Sequence, residues 1–136
     1  MKQFLSITLL SLALLLSTSC VDKAADSSDV KLVTAAEMKS ILELEDVQLV
    51  DVRSAEEYEE VRIKNAQNID FNSPTFDDDV EKLDKNKPVV LYCKGGGRSA
   101  KCAKKLQDAG FKKIYDLQGG ISQWQHTELL DIEKKS

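Results

Sequence analysis

The feature that most constrains this sequence is an apolar run that ends in a cysteine and is followed almost at once by three glycines. Pro88 introduces the segment VVLYC, which has the length and aliphatic composition of a buried strand. From residue 98 or 99 to about residue 109 the composition is helical, and Gly110 is placed to end that helix. Because both flanks carry strong secondary-structure signals, the glycines at 95–97 are interpreted as a strand-to-helix connection and not as a flexible spacer.

The rest of the chain alternates between helix-like and strand-like segments. Capping boxes at Thr34 and Ser54 predict helices that run through about Leu44 and Glu60. Other elements are predicted by composition: strands at 47–52, 66–69 and 113–117, and helices at 76–83 and 121–127. This alternation predicts an α/β fold with a central parallel sheet and helices on both faces. Ligands of such sheets bind beyond the carboxyl ends of the strands, where Cys93 lies.

Composition places the chain among ordinary globular proteins. Its 136 residues are enough for one compact domain, with 42% apolar and 31% charged residues. The net charge of −4 argues against nucleic-acid binding, which favours a basic excess. One histidine and three scattered cysteines do not supply a four-ligand metal site, so no metal is expected. We also expect no cofactor and a monomeric protein.

The first 20 residues have a composition of their own. Lys2 is followed by an apolar stretch from Phe4 to Leu16 and then by small residues and Cys20. This layout is typical of a secretory signal and is too short to span a bilayer. The segment resembles a bacterial lipoprotein signal, which implies cleavage before Cys20 and a lipid on that cysteine. The alternatives are secretion without a lipid and an uncleaved hydrophobic anchor.

These signals divide the chain into four segments. Residues 1–19 are predicted to be the signal peptide, 20–30 a polar tether, 31–128 the folded domain and 129–136 a C-terminal tail. We therefore expect an exported protein, periplasmic or at the cell surface, anchored to a bacterial membrane only through its N-terminal lipid. Exported small domains often carry disulfides, but no disulfide framework is evident in this sequence. The Cys93 thiol is therefore expected to be kept free for a chemical reaction.

The loop that begins at Cys93 has the composition of an anion site. Consecutive glycines let the backbone turn successive N–H groups inward, and the free N–H groups of the following helix add to them. A thiolate at the centre would be stabilised, so its pKa should fall and its nucleophilicity should rise. Lys94 and Arg98 act in the same direction, and an arginine in the first turn of a helix is unfavourable unless an anion is bound. The alternative is a structural tight turn.

Several motifs match one known family in order and spacing. Residues 92–99, YCKGGGRS, resemble the C-x-x-G-x-R-S active-site loop of rhodanese-type sulfurtransferases. LVDVR at 49–53 is similar to that family's D-V-R strand, and the segments at 57–69 and 106–124 resemble its other signatures. The resemblance covers roughly residues 30–126. It departs from the family pattern in one supporting loop, at Val61, Arg62, Lys64 and Asn65, although asparagine tolerates the left-handed backbone that the usual glycine provides.

The resemblance implies a rhodanese-like domain with sulfurtransferase activity. Cys93 would take sulfane sulfur from thiosulfate or a similar anion, become a persulfide, and pass the sulfur to a thiol or cyanide acceptor. It implies catalytic roles for Cys93 and Arg98, and substrate binding by Lys94, Gly95, Gly96, Gly97 and Ser99. Asp51 and Arg53 could support the site, although a structural ion pair is the preferred interpretation. A redox partner protein is a further expectation.

Two other functions share the same signals. Cysteine-dependent phosphatases and arsenate reductases place five residues between cysteine and arginine, whereas four separate Cys93 from Arg98, which makes a tighter loop suited to one sulfur atom. A non-catalytic sulfur-carrier or docking module is the other alternative. Cys102 is interpreted as a core cysteine, the alternative being a resolving thiol that pairs with Cys93.

Overall fold

The computed structural model describes residues 29–136. The chain forms twelve elements in this part: β1 (Asp29–Val33), α1 (Ala35–Leu44), β2 (Gln48–Asp51), α2 (Ala55–Glu60), β3 (Val61–Ile63), β4 (Gln67–Asn68), α3 (Phe76–Val80), β5 (Val89–Tyr92), α4 (Gly97–Asp108), β6 (Lys113–Leu117), α5 (Gly120–Trp124) and β7 (Ile132–Lys134).

Five of these strands form a central sheet in the order β1-β6-β5-β2-β4, and every pairing in it is parallel. β3 and β7 form a separate antiparallel pair. Neighbouring residues of one strand face opposite sides of the sheet, so Leu91 packs in one core cluster and Val90 in the other. Helices α3 and α4 cover the first side and α1 and α5 cover the second. The predicted α/β fold with helices on both faces is confirmed.

The helix starts follow the local sequence. The Thr34 side chain accepts a hydrogen bond from the Glu37 N–H while the Glu37 carboxylate accepts one from Thr34, and Ser54 and Glu57 repeat this arrangement at α2. Both capping boxes are therefore formed as predicted. Asn65 has a φ of +66°, so it holds the left-handed turn between β3 and β4 in place of a glycine.

The largest differences from the sequence prediction lie at the two ends of the domain. Residues 29 and 30, assigned to the tether, begin β1, which pairs with β6. Residues 132–134, assigned to a tail, form β7 and pair with β3, where an Arg62–Glu133 ion pair joins the two strands at 3.0 Å. These strands escaped prediction because short segments of mixed charge become strands only when a partner is present.

The predictions for the signal peptide, for Cys20 and for most of the tether fall on residues outside those that the structure describes. Within residues 29–136, no helix is both long enough and apolar enough to cross a membrane. The same part of the chain contains no group of three or more His, Cys, Asp or Glu side chains placed to hold a metal ion.

Candidate active site

Cys93 follows β5 at the carboxyl end of the central sheet and is 1% exposed. The next three residues turn the chain into α4, with Gly96 as the N-cap at a φ of +104°. A left-handed conformation is rarely adopted by residues with a side chain, so glycine at this position is a requirement of the turn. The strand, loop and helix predicted from the sequence are all present, and they place the sulfur at the N-terminus of α4.

The sulfur of Cys93 lies within a cradle of hydrogen-bond donors. The Gly96 N–H donates to Sγ at 3.0 Å, and the Ser99 hydroxyl lies 3.4 Å from Sγ. Burial opposes ionisation of the thiol, but hydrogen bonds from the Ser99 hydroxyl and from the N–H groups of residues 99, 96 and 95 outweigh it. The pKa of Cys93 therefore lies below its ordinary value, in the direction that the sequence predicted.

The loop is fixed from outside by the start of α5. The Ile121 N–H donates to the Cys93 carbonyl at 2.9 Å, and the Ser122 N–H donates to the Lys94 carbonyl at 3.1 Å. The Ser122 hydroxyl also donates to Lys94 O, at 2.7 Å. Gly120, which precedes these donors, lies against the same carbonyls, and a Cβ at this position would be 2.7 Å from the Cys93 oxygen. Only glycine lets the two backbones approach this closely.

Arg98 lies in the first turn of α4, where its guanidinium is engaged by an acid. Its Nη1 and Nη2 donate to the two carboxylate oxygens of Glu57 at 2.7 and 2.9 Å. A hydrogen bond with Arg98 is the main cause that lowers the pKa of Glu57 to about 2. This partner explains how an arginine is tolerated at a helix N-terminus without a bound anion. The predicted role of Arg98 towards an anionic substrate stays a prediction, and Lys94, the residue after Cys93, is exposed.

Asp51 and Arg53 form a buried ion pair at the end of β2. Arg53 Nη2 lies 2.6 Å from Asp51 Oδ2, and the two side chains are 3% and 0% exposed. Arg53 also donates to the Val61 carbonyl, and its guanidinium lies 5.7 Å from the centre of the Tyr92 ring. Asn68 Nδ2 donates to the carbonyl oxygens of both members of the pair. These contacts agree with a structural ion pair that joins β2, β3, β4 and β5 beside the loop.

Cys102 lies in the core under α4. It is 1% exposed, and both it and Cys93 are free thiols. Burial, with smaller contributions from the nearby Asp116 and Cys93, raises the pKa of Cys102 to about 12. Because a thiol of this kind is neutral and shielded, the structure agrees with a core cysteine and not with a second nucleophile.

Three residues of the site were given no role there by sequence reasoning. Glu57 was identified only as a helix cap, Gly120 only as part of a turn, and Asp116 only as part of a strand. Glu57 carried a signal, since it belongs to one of the family motifs quoted above. Asp116 carried none, because its burial depends on strand register.

Comparison with known proteins agrees with this geometry. The family described as Rhodanese-like domain matches residues 34–127. Thiosulfate sulfurtransferase GlpE of Coxiella burnetii is 35% identical over 105 residues, which cover 76% of this chain and 96% of that protein. A tRNA uridine(34) hydroxylase of Cytophaga hutchinsonii is 40% identical over 89 residues, which cover 63% of this chain but 28% of the hydroxylase.

A solved structure extends the comparison to three dimensions. The crystal structure of a rhodanese-like domain protein from Staphylococcus aureus superposes with a TM-score of 0.65 at 36% identity, covering 78% of this chain and 99% of that one. The family match spans most of residues 29–136, and the superposition covers a similar share of the chain. The chain therefore belongs to the rhodanese-like domain family.

Proposed function

We propose that this protein is a sulfurtransferase that carries sulfane sulfur on Cys93 as a persulfide. The observation that supports this most is the ring of inward-facing N–H groups that lowers the pKa of the buried Cys93 thiol. A relative that is similar over nearly its whole length, from Coxiella burnetii, is named a thiosulfate sulfurtransferase. We propose the same donor class, thiosulfate or a similar sulfur-containing anion, for this chain.

The proposed reaction consists of two displacements at sulfur. The Cys93 thiolate attacks the outer sulfur of thiosulfate, the S–S bond of the donor breaks, and sulfite leaves with the bonding electron pair. The new terminal sulfur is anionic, and the loop N–H groups stabilise it as an oxyanion hole stabilises oxygen. An acceptor, cyanide or a thiolate, then attacks the terminal sulfur and releases the Cys93 thiolate. Neither step requires a general base if the thiol is ionised before it attacks, and the lowered pKa of Cys93 favours the ionised form.

Charged side chains at the mouth of the loop would guide the anionic donor. Lys94 follows Cys93 in the chain and is exposed, so we propose that its charge attracts the donor. Arg98 holds Glu57 in a bidentate pair, so its net charge towards a donor is partly neutralised. We propose that Arg98 mainly orders the loop through this pair and contributes to donor binding through its remaining N–H groups.

Intact-mass spectrometry after thiosulfate treatment tests the proposal. The protein should gain the mass of one sulfur atom, and cyanide or dithiothreitol should remove it. Cys93→Ser should abolish the gain, whereas the matched variant Cys102→Ser should retain it. An adduct that survives in Cys93→Ser would contradict the assignment. Steady-state thiocyanate production from thiosulfate and cyanide separates an enzyme from a sulfur carrier or docking module, which would form the adduct without turnover.

We also propose that the protein is exported and anchored to a bacterial membrane by a lipid on Cys20. The support is the sequence alone, a lysine followed by an apolar stretch that ends in small residues and a cysteine. In a bacterial host, the mature protein should fractionate with membranes and begin at Cys20. Cys20→Ala should prevent processing at that residue and lipidation. Wild-type protein that retains residues 1–19 and lacks the lipid would contradict this proposal.

A further inference from the structure

The outer edge of β1 is open to a further strand. Among the described residues β1 pairs only with β6, and it is the last strand of the central sheet on that side. The strand at the opposite end of the sheet, β4, is two residues long, whereas β1 has five residues and contains no proline. An edge strand that is neither short nor interrupted presents unpaired N–H and C=O groups to any strand that can pair with it.

Two residues of β1 turn their backbone groups towards this open edge. The Val33 carbonyl accepts a hydrogen bond from the Gln118 N–H, so Val33 faces β6. The N–H and C=O groups of one residue in a strand point to the same side, and those of neighbouring residues point to opposite sides. The residues two and four positions before Val33 therefore also face β6. Val30 and Leu32 present their N–H and C=O groups outward.

The same two residues carry exposed apolar side chains. Val30 is 38% exposed and Leu32 is 61% exposed. Val30 is in register with Ile114, which packs in the core cluster under α4, so both side chains lie on that side of the sheet. They form one wall of a groove whose other wall is Ala100 and Ala103 of α4. Apolar side chains on an open edge favour association with another strand.

The charged residues of β1 favour pairing with a second copy of the chain in one antiparallel register. A two-fold axis at Val30 places each Val30 opposite its counterpart, and Asp29 of either copy opposite Lys31 of the other. Opposite charges directly across an antiparallel pair are stabilising, and like charges are destabilising. A two-fold axis at Lys31 would place two lysines opposite each other. Charge complementarity therefore selects the register centred on Val30.

We propose that β1 is the interface of a two-fold dimer, in which two copies pair their first strands antiparallel about Val30. The two central sheets then form one continuous sheet, and the two Val30 residues exchange backbone hydrogen bonds. Leu32 of each copy lies diagonally across from Val30 of the other, so the apolar side chains cover one another. An isologous interface of this kind closes on itself and uses up the open edge. The dimer replaces the monomer expected from the sequence, and it does not depend on the proposed reaction.

Cysteine cross-linking in the full chain tests the interface. On mild oxidation, Val30→Cys should form a disulfide between two copies, because the two Cα atoms would lie about 5.5 Å apart, within the range of a disulfide. Leu32→Cys is the matched control. It is on the same edge and more exposed, but its counterpart would lie about 13 Å further along the strands, too far to bridge. Leu44→Cys, at a position 83% exposed on α1, measures random collisions.

Non-reducing electrophoresis gives the yield of linked dimer, and mass spectrometry of the linked peptides separates these links from links through the native cysteines. The Val30→Cys yield should exceed the yields of Leu32→Cys and Leu44→Cys, which should equal each other. Lys31→Cys provides a second probe of the register. It should link no more than these two controls, because Lys31 faces Asp29 of the other copy.

Exchange of charges tests the register independently. In the Val30→Cys background, Lys31→Glu places two acids opposite each other at both ends of the pair. Two contacts then change from attraction to repulsion, which should weaken association about tenfold. Adding Asp29→Lys should restore the cross-link, because opposite charges face each other again. The lost contact of Lys31 with Glu37 of its own chain, at 3.9 Å, would not be recovered by the second substitution.

Four results would each overturn the inference: no Val30→Cys dimer, equal yields for the Val30 and Leu32 variants, a Lys31→Cys dimer that forms more readily than the Val30→Cys dimer, or a double charge exchange that restores nothing. An edge occupied by another protein or by residues before Asp29 would give the first of these. Cross-linking requires no sulfur donor. A chain that forms no persulfide but links at Val30 would therefore disprove the sulfurtransferase proposal and leave the interface in place.

Discussion

Replacing Gly120 with alanine tests whether α5 fixes the shape of the Cys93 loop. Gly120 has a φ of +66°, and an added Cβ would overlap the Lys94 carbonyl and lie 2.7 Å from the Cys93 oxygen. These are backbone atoms, so they cannot move aside as a flexible side chain would. The left-handed conformation costs alanine about 1–2 kcal/mol. Overpacking adds about 1–3 kcal/mol.

Separation of the backbones would also weaken the hydrogen bonds from Ile121 and Ser122, at about 1 kcal/mol for the two together if they lengthen without breaking. The free energy of unfolding should therefore fall by about 3–6 kcal/mol, a large part of the stability of a domain of this size. In thermal unfolding followed by circular dichroism, Tm should fall by at least about 12 °C.

Two alanine variants serve as controls for this experiment. Gly110 has a φ of +90° with open space around it, so Gly110→Ala should show the backbone strain alone, about 1–2 kcal/mol. Gly95 has neither a left-handed φ nor a neighbour within 4 Å, so Gly95→Ala should change stability by less than about 1 kcal/mol. If Gly120→Ala were no worse than Gly110→Ala, the close approach of α5 to the loop would not be a structural requirement.

The ion pairs and the second cysteine lead to three more expectations. Arg53→Ala leaves the Asp51 carboxylate buried without its partner, so urea denaturation should show a loss of about 3–5 kcal/mol, and a loss below about 1 kcal/mol would contradict the role of the pair. Because the pKa of Glu57 is lowered from 4.5 to about 2, its pair with Arg98 stabilises the fold above pH 4.5 and loses this effect as pH falls towards 2. Between pH 4.5 and 2, the stability of Glu57→Gln should therefore fall less steeply with pH than that of the wild type. Identical acid-unfolding curves for the two proteins would contradict the stabilising role of the pair. Native iodoacetamide labelling should spare Cys102 and reach it only after denaturation; equal labelling of both cysteines in the native protein would be inconsistent with its burial.

Features encoded within a few residues could be predicted from the sequence. The caps at Thr34 and Ser54 need only a residue three positions further on, and the left-handed Asn65 needs only its own short polar side chain. The turn that directs the Gly96 N–H at the Cys93 sulfur follows in the same way from glycines between a strand and a helix. These local signals led to the fold and to Cys93.

Features that depend on distant pairing could not be predicted in this way. Glu57 and Arg98 are 41 residues apart, and their contact exists only because α2 packs beside the loop. The burial of Asp116 follows from its register with Leu91 and from the cover of α4. Hydrophobic pattern sets which face of a strand is buried, but it does not reveal an acid placed on that face.

The small β3–β7 ribbon and the first strand have a practical consequence for anyone who transfers this domain into another protein. The recognisable family signature spans 34–127, yet β1 precedes it and β7 follows it. A fragment cut to the signature would lack β1, which would leave the edge of β6 unpaired and open to strand pairing with another molecule. It would also lack β7 and the buried Leu130, which would expose Ile63 of β3. The fragment to transfer therefore runs from Asp29 to Lys134. Shorter fragments should aggregate even though they keep every residue of the Cys93 loop.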